Sequence, residues 1–308
     1  MITLRSGNKV PKGLRPTAVT IGKFDGIHLG HQQLLAETIE SAEEHALVPV
    51  VITFDRHPDS VLKPGSEPQS LIGPHQKEHL LSEAGIELVL NLPFDDELAS
   101  LSAADFVQRF LIDALEAKIV IVGEGFRFGS KQQGDVSVLR ELGQELGFIV
   151  RVIPNIEIDG EIVSTSRIRN HLLDGNVRQA AKLLGRLHTT TGLIEHGLKI
   201  GREIGFPTAN MSRSAEGLLP KDAVYAGWLY AEGERYKAAL SVGKNETFEA
   251  VPRLLEAHVI DEIDLDLYDK MVTVEYVEFI RGAAKFSGVE ELVAEIHRDL
   301  DKIRAILS

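Results

Sequence analysis

From residue 17 to about residue 153 the chain alternates short apolar runs with segments of helical period. The runs are 17–22 (TAVTIG), 48–54 (VPVVITF), 86–92 (IELVLNL), 118–123 (KIVIVG) and 148–154 (FIVRVIP). Between them, residues 30–46 place Leu34, Leu35, Ile39 and Ala42 at helical spacing. Residues 74–85, 102–115 (with Ser102 as N-cap) and 135–147 also read as helices. Apolar strands alternating with helices predict a parallel sheet covered on both faces. Such a sheet binds ligands beyond the carboxyl ends of its strands, where strand order reverses. Two short helices, 164–175 and 176–185, follow.

After Arg186 the pattern changes to short strand-like runs broken by Gly or charge, and helical period returns only at 289–307. About 100 residues of closely spaced antiparallel strands predict a small β-barrel. The last helix would pack on it through Val289, Leu292, Val293 and Ile296. The expected fold is therefore α/β plus β, a Rossmann-like parallel-sheet domain over 1–186 and a barrel domain over 187–308. At 308 residues, two domains is also the expectation from length.

Composition narrows the function classes. Hydrophobic residues make up 44% and charged residues 26%, an ordinary globular balance. There is no apolar run near 18 residues, and the basic N-terminus lacks the apolar stretch of a signal peptide. Cysteine is absent, which excludes disulfides, thiolate metal sites and a thiol nucleophile and suits a reducing cytoplasm. The formal charge of -13 disfavours nucleic acid and anionic membrane as partners. A polyphosphate ligand must then be met locally, by backbone N–H groups, a few arginines or a divalent metal. Oligomeric state, including a homo-oligomer, stays open.

Two segments carry candidate chemistry. The first, GKFDGIHLGH (22–31), joins an apolar run to a helix. Gly22, Phe24, Asp25 and Gly26 form a turn whose N–H groups, with the helix N-terminus, suit an anion. His28 and His31 lie three apart on one helix face, where two imidazoles can donate to phosphate oxygens. It is neither a Walker A loop nor a dinucleotide fingerprint. Downstream, Ser164, Thr165 and Ser166 offer donors at a helix start, and Arg167 adds a fixed charge suited to a triphosphate. The second segment is GLKIGREIGFPTAN (197–210). Gly197 and Gly201 allow close backbone approach to a polyphosphate, with Lys199 and Arg202 to neutralise it. Thr208 and Asn210 offer neutral oxygen ligands of the kind Mg²⁺ accepts. Glu256, among apolar residues of a strand-like run, has the makings of a general base.

These motifs resemble the bacterial bifunctional riboflavin kinase/FAD synthetase family, over nearly the whole chain. HLGH is similar to the H-x-G-H signature of nucleotidyltransferases. TFDRHP (53–58) resembles a TF-x-P-H-P segment with Arg56 in place of Pro, and it places His57 at the flavin. VGEGFRFG (122–129) resembles VG-x-D/N-F-x-FG, with Gly125 where a polar side chain is usual beside the flavin. VSTSRIR (163–169) resembles I-S-S-T-R-I-R, FPTAN (206–210) the kinase G-F-P-T-A-N motif, and the Glu256 segment that of the kinase base. Asp269 replaces a usual Gly, and Glu246 a usual Pro.

The resemblance implies ATP-dependent phosphorylation of riboflavin to FMN, then adenylylation of FMN to FAD, with Mg²⁺ as cofactor. ATP, riboflavin and FMN are then the small-molecule partners. Alternatives are a kinase whose adenylyltransferase is weakened at Gly125, a flavin sensor without turnover, and a nucleotidyltransferase for pantetheine phosphate or a nicotinate nucleotide. Trp228 and Tyr225 offer rings for flavin stacking, though strand packing is the simpler reading.

Overall fold

A computed structural model describes residues 1–5, 10–196, 205–243, 253–262 and 265–308. The chain forms two compact units, Met1–Ser70 with Lys77–Val163, and Leu71–Gln76 with Ser164–Ser308.

The first unit holds six parallel strands: β1 (Ile2–Arg5), β2 (Thr17–Ile21), β3 (Val48–Phe54), β4 (Leu88–Leu92), β5 (Ala117–Gly123) and β6 (Ile149–Ile153). Their order is β1-β4-β3-β2-β5-β6. Every residue of β2 is buried, Thr17 and Thr20 included, as in a parallel strand covered on both faces. On one face Val19, Ile21, Val50 and Ile52 pack with Phe106, Phe110 and Leu111. On the other, Ala18, Ile119 and Ile121 pack with Ala42 of α1 (Leu29–His45). The chain winds from β2 through β3 to β4 in one direction and restarts beyond β2 at β5. The topological switch point therefore lies between β2 and β5, at the end of the strand that runs into GKFDGIHLGH. A small hairpin of β7 (Glu157–Ile158) and β8 (Glu161–Ile162) ends the unit.

Two local departures from expectation have physical causes. Strand β1 is short and half exposed, too weak a pattern to stand out, and is fixed by parallel pairing with β4. The helix expected over 102–115 starts as α-helix at Ala103, capped by Ser102 (Asp105 N–H to Ser102 Oγ, 3.0 Å). It continues as π-helix over Val107–Ala114. The wider turn still buries Val107, Phe110, Leu111 and Ala114.

The second unit contains a closed antiparallel barrel. Its strands are β9 (His188–Glu195), β10 (Ala209–Met211), β11 (Ala223–Ala231), β12 (Glu234–Gly243), β13 (Leu254–Val259) and β14 (Met271–Gly282), ordered β10-β13-β12-β11-β14-β9. The two short helices Thr165–Leu173 and Val177–Leu184 group with this unit, whereas the sequence pattern joins them to the preceding α/β segment. So does segment 71–76, where Leu71 and Ile72 are buried and Leu218 N–H donates to the Leu71 carbonyl. Glu216 accepts the backbone N–H groups of His75 (3.3 Å) and Gln76 (3.0 Å).

The terminal helix, Val289–Ile306, packs on the barrel's outer face through Ile296, Leu300 and Ile303, against Val224, Ala226 and Trp228. The expected stripe began about two turns too early: Val289 is exposed, and of the four expected residues Ile296 joins the contact. Trp228 belongs to this cluster and carries Arg235 stacked 3.6 Å from its ring centroid. Tyr225 is fully buried, and its hydroxyl donates to the Lys221 carbonyl. Both rings are packing residues.

Candidate active sites

In the first unit the chain leaves β2 in a strained turn. Phe24 (φ 50) and Ile27 (φ 40) both adopt left-handed backbone, which costs a bulky side chain about 1–3 kcal/mol. Their side chains are buried, and that burial holds the turn. A Cβ at Gly30 would lie 3.3 Å from the His28 ring, a tight contact that the ring would have to yield to.

His28 is the N-cap of α1, its Nδ1 accepting the His31 N–H at 3.4 Å. In the neutral ring the proton is then on Nε2, the tautomer able to donate to a phosphate. The His28 and His31 rings stack at 3.7 Å and 16°. Burial, then His28, then Lys77 hold His31 well below the usual imidazole range. Its Nδ1 is buried and has no hydrogen-bond partner among the described residues. Two stacked imidazolium rings would repel, so the arrangement disfavours charging both rings at once.

Asp25 is buried in the turn. His57 Nε2 lies 2.9 Å from Lys23 Nζ, and its Nδ1 lies 3.1 Å from the Asp59 N–H. Arg56, the replacement for Pro, points outward and pairs with Asp55 at 3.0 Å, so the departure is absorbed at the surface. Gly125 is exposed, its φ is not left-handed, and nothing lies within 4 Å of a Cβ built there. The backbone would accept the usual polar side chain.

In the second unit Ser164 caps its helix by accepting the Arg167 N–H at 3.3 Å. Thr165, Ser166 and Arg167 form the first turn, which is anchored by the buried Ile168 and Leu172.

The barrel brings three expected residues together. Asn210 of β10 stands directly opposite Glu256 of β13, and the Thr208 hydroxyl donates to the Glu256 carboxylate. Strand alternation puts Leu255, Ala257 and Val259 in the interior and leaves Glu256 and His258 on the other face. Burial raises the Glu256 pKa, and the Thr208 bond partly opposes this. By giving its proton to Glu256, Thr208 leaves lone pairs on Oγ1 for a hard cation. With the Asn210 amide, this donor set fits Mg²⁺. No cluster of three His, Asp or Glu suited to a metal occurs among the described residues. Gly197, Lys199, Gly201, Arg202 and Glu246 lie outside the described residues.

Sequence reasoning missed His258, which holds FPTAN: its Nδ1 donates to the Pro207 carbonyl at 2.8 Å, and its ring meets Phe206 edge-on. Its place two residues from Glu256 was the available signal. Asp269 takes a left-handed backbone conformation (φ 58), one that glycine adopts without strain and aspartate tolerates.

A strained turn with two imidazoles at a sheet switch point, and a barrel carboxylate beside neutral oxygen ligands, define a protein with two phosphate-handling modules. A family model described as FAD synthetase matches residues 10–167, and one described as riboflavin kinase matches 184–307. A protein of Haemophilus influenzae described as bifunctional riboflavin kinase/FMN adenylyltransferase is 33% identical over 306 residues, 99% of this chain and 98% of its own length. One of Escherichia coli K12 with the same description is 33% identical over 282 residues, 91% of this chain and 90% of its own. A crystal structure from Streptococcus pneumoniae, described as a macrolide-efflux protein, aligns with TM-score 0.88 at 33% identity over 99% of both chains. The chain belongs to the bifunctional riboflavin kinase/FMN adenylyltransferase family. No described helix is long and apolar enough to cross a membrane.

Proposed function

We propose that this chain phosphorylates riboflavin to FMN in its barrel module, 187–308, and adenylylates FMN to FAD in its α/β module, 1–186. The observation that carries the reading is the meeting of Glu256, Thr208 and Asn210 at one barrel position. Glu256 takes the proton of the terminal ribityl hydroxyl as its oxygen attacks the γ-phosphorus of ATP and ADP leaves. A carboxylate whose pKa is raised by burial is a stronger base for that proton. Thr208 and Asn210 would hold Mg²⁺, which when bound neutralises charge on the transferring phosphoryl. Gly197, Gly201 and Arg202 are assigned to nucleotide binding in the same module.

In the second reaction an ionised FMN phosphate oxygen attacks the α-phosphorus of another ATP, and pyrophosphate leaves. The attacking group needs no base. His28 and His31 donate to the charge that develops, and Arg167, Ser164, Thr165 and Ser166 bind ATP phosphates. Gly22, Phe24, Asp25 and Gly26 shape the nucleotide turn, and His57 and Gly125 lie at the flavin. The enzyme works in the cytoplasm on small molecules.

Mass analysis of the products from riboflavin and excess ATP tests the reading. Both FMN and FAD are expected. FMN alone would reduce the chain to a kinase, and neither product would leave a flavin-binding protein.

A further inference from the structure

Lys77 lies in the first turn of the helix Pro74–Glu83, four residues before the fully buried Leu81 and so on the same inward face. It is half-buried. Three groups lie within its electrostatic reach: Asp25 after β2, Asp55 after β3, and His31 in α1. Because β2 and β3 are adjacent parallel strands, both carboxylates stand at the carboxyl edge of the sheet, where such folds take ligands. Lys77 makes no hydrogen bond and no ion pair with a described residue. The nearby Asp55 is engaged otherwise, with Arg56 and the Phe94 N–H.

A half-buried ammonium has lost part of its hydration and gains most from a charged oxygen acceptor. Burial pushes Lys77 below the usual lysine range, and Asp25 and Asp55 pull it back towards the charged form. It is a cation beside the imidazole pair with capacity to spare.

We propose that Lys77 binds a phosphate group in the adenylyl-transfer site. The proposal rests on the functional reading above. The shared chemistry is an anionic phosphate, which could be the polyphosphate of ATP or the monoester of FMN.

The test compares Lys77→Met and Lys77→Arg with the parent, using the full chain. A charge-assisted hydrogen bond is worth about 1.5–3 kcal/mol. Lys77→Met should therefore lower kcat/KM for FMN adenylylation about 10- to 150-fold, and Lys77→Arg should recover part of it. Riboflavin phosphorylation on the same samples should stay at the parental rate, which reports folding. A rise in KM for ATP, with weaker binding of inorganic pyrophosphate by calorimetry, assigns the polyphosphate. A rise in KM for FMN alone assigns the monoester. Parental adenylylation kinetics in Lys77→Met would overturn the proposal and leave Lys77 as a counter-charge for Asp25 and Asp55. Loss in both variants with a lowered Tm would also overturn it, in favour of a structural role. If the parent makes no FAD, the functional reading fails separately. Binding of ATP and pyrophosphate to parent and Lys77→Met then still decides the proposal: equal affinity overturns it.

Discussion

The Thr208 hydroxyl donates to the Glu256 carboxylate in the barrel, so one side chain both tunes the candidate base and keeps lone pairs for a cation. Two predictions start from that pair.

Glu256→Gln keeps the size and an acceptor oxygen but removes the base. Riboflavin phosphorylation should lose about 10²–10⁴ in kcat, while FAD formation from supplied FMN continues. The two rates measured on one sample check this. A parental kinase rate would make Glu256 an ordinary strand carboxylate.

The kinase should also show an acidic limit set by Glu256. Burial raises its pKa, and the base works only when ionised, so kcat/KM falls as pH drops through that raised value. The residual activity of Glu256→Gln should lack that acidic limb, and a limb that persists unchanged in the variant contradicts the assignment.

His28→Ala and His31→Ala should slow FMN adenylylation about 10²–10³-fold and leave riboflavin phosphorylation intact. Separate assays from riboflavin and from FMN distinguish this from unfolding, which would remove both activities.

Gly125→Asn should be tolerated by the fold, since its Cβ meets nothing within 4 Å. If the missing polar group limits the second reaction, the variant adenylylates FMN about 5- to 150-fold faster. An unchanged rate would mean that Gly125 costs this enzyme nothing.

His188 gives a stability test apart from either site. It is buried against Tyr276, its Nε2 bonds to the Leu218 carbonyl at 2.7 Å, and burial lowers its pKa to about 4. The unfolded chain takes up a proton near pH 6.5 and the folded chain does not. Stability from this group is therefore whole above pH 6.5 and falls by about 1.4 kcal/mol per unit towards pH 4. Denaturant unfolding at pH 7 and pH 5 should show the drop, and His188→Gln should flatten it. An equal drop in the variant would assign it to other groups.

Much of this was legible in the chain because the informative residues are neighbours in sequence. β2, its turn and α1 are contiguous, so the imidazole pair is written as H-x-x-H with the strand before it. The meeting of Asn210 and Glu256 was legible only through a motif, because their pairing joins residues 46 positions apart through a barrel closure that no local pattern specifies. Lys77 could not be found: on a helix of mixed polarity one lysine looks like any other, and only tertiary packing sets it beside Asp25 and His31. The π-helix at Val107–Ala114 was equally hidden, since its apolar positions also satisfy an α-helical count.

Segment 71–76 bears on how this chain can be cut. Its buried Leu71 and Ile72, and the bonds from Leu218 to Leu71 and from His75 and Gln76 to Glu216, belong to the barrel's own unit. A gene divided at residue 187 would separate those six residues, and helices Thr165–Leu173 and Val177–Leu184, from the strands they cover. The resulting fragment would expose apolar surface and strip the Glu216 carboxylate of its donors. The smaller catalytic body is not a continuous stretch of polypeptide, so a stand-alone version has to be designed with that patch rebuilt rather than simply truncated.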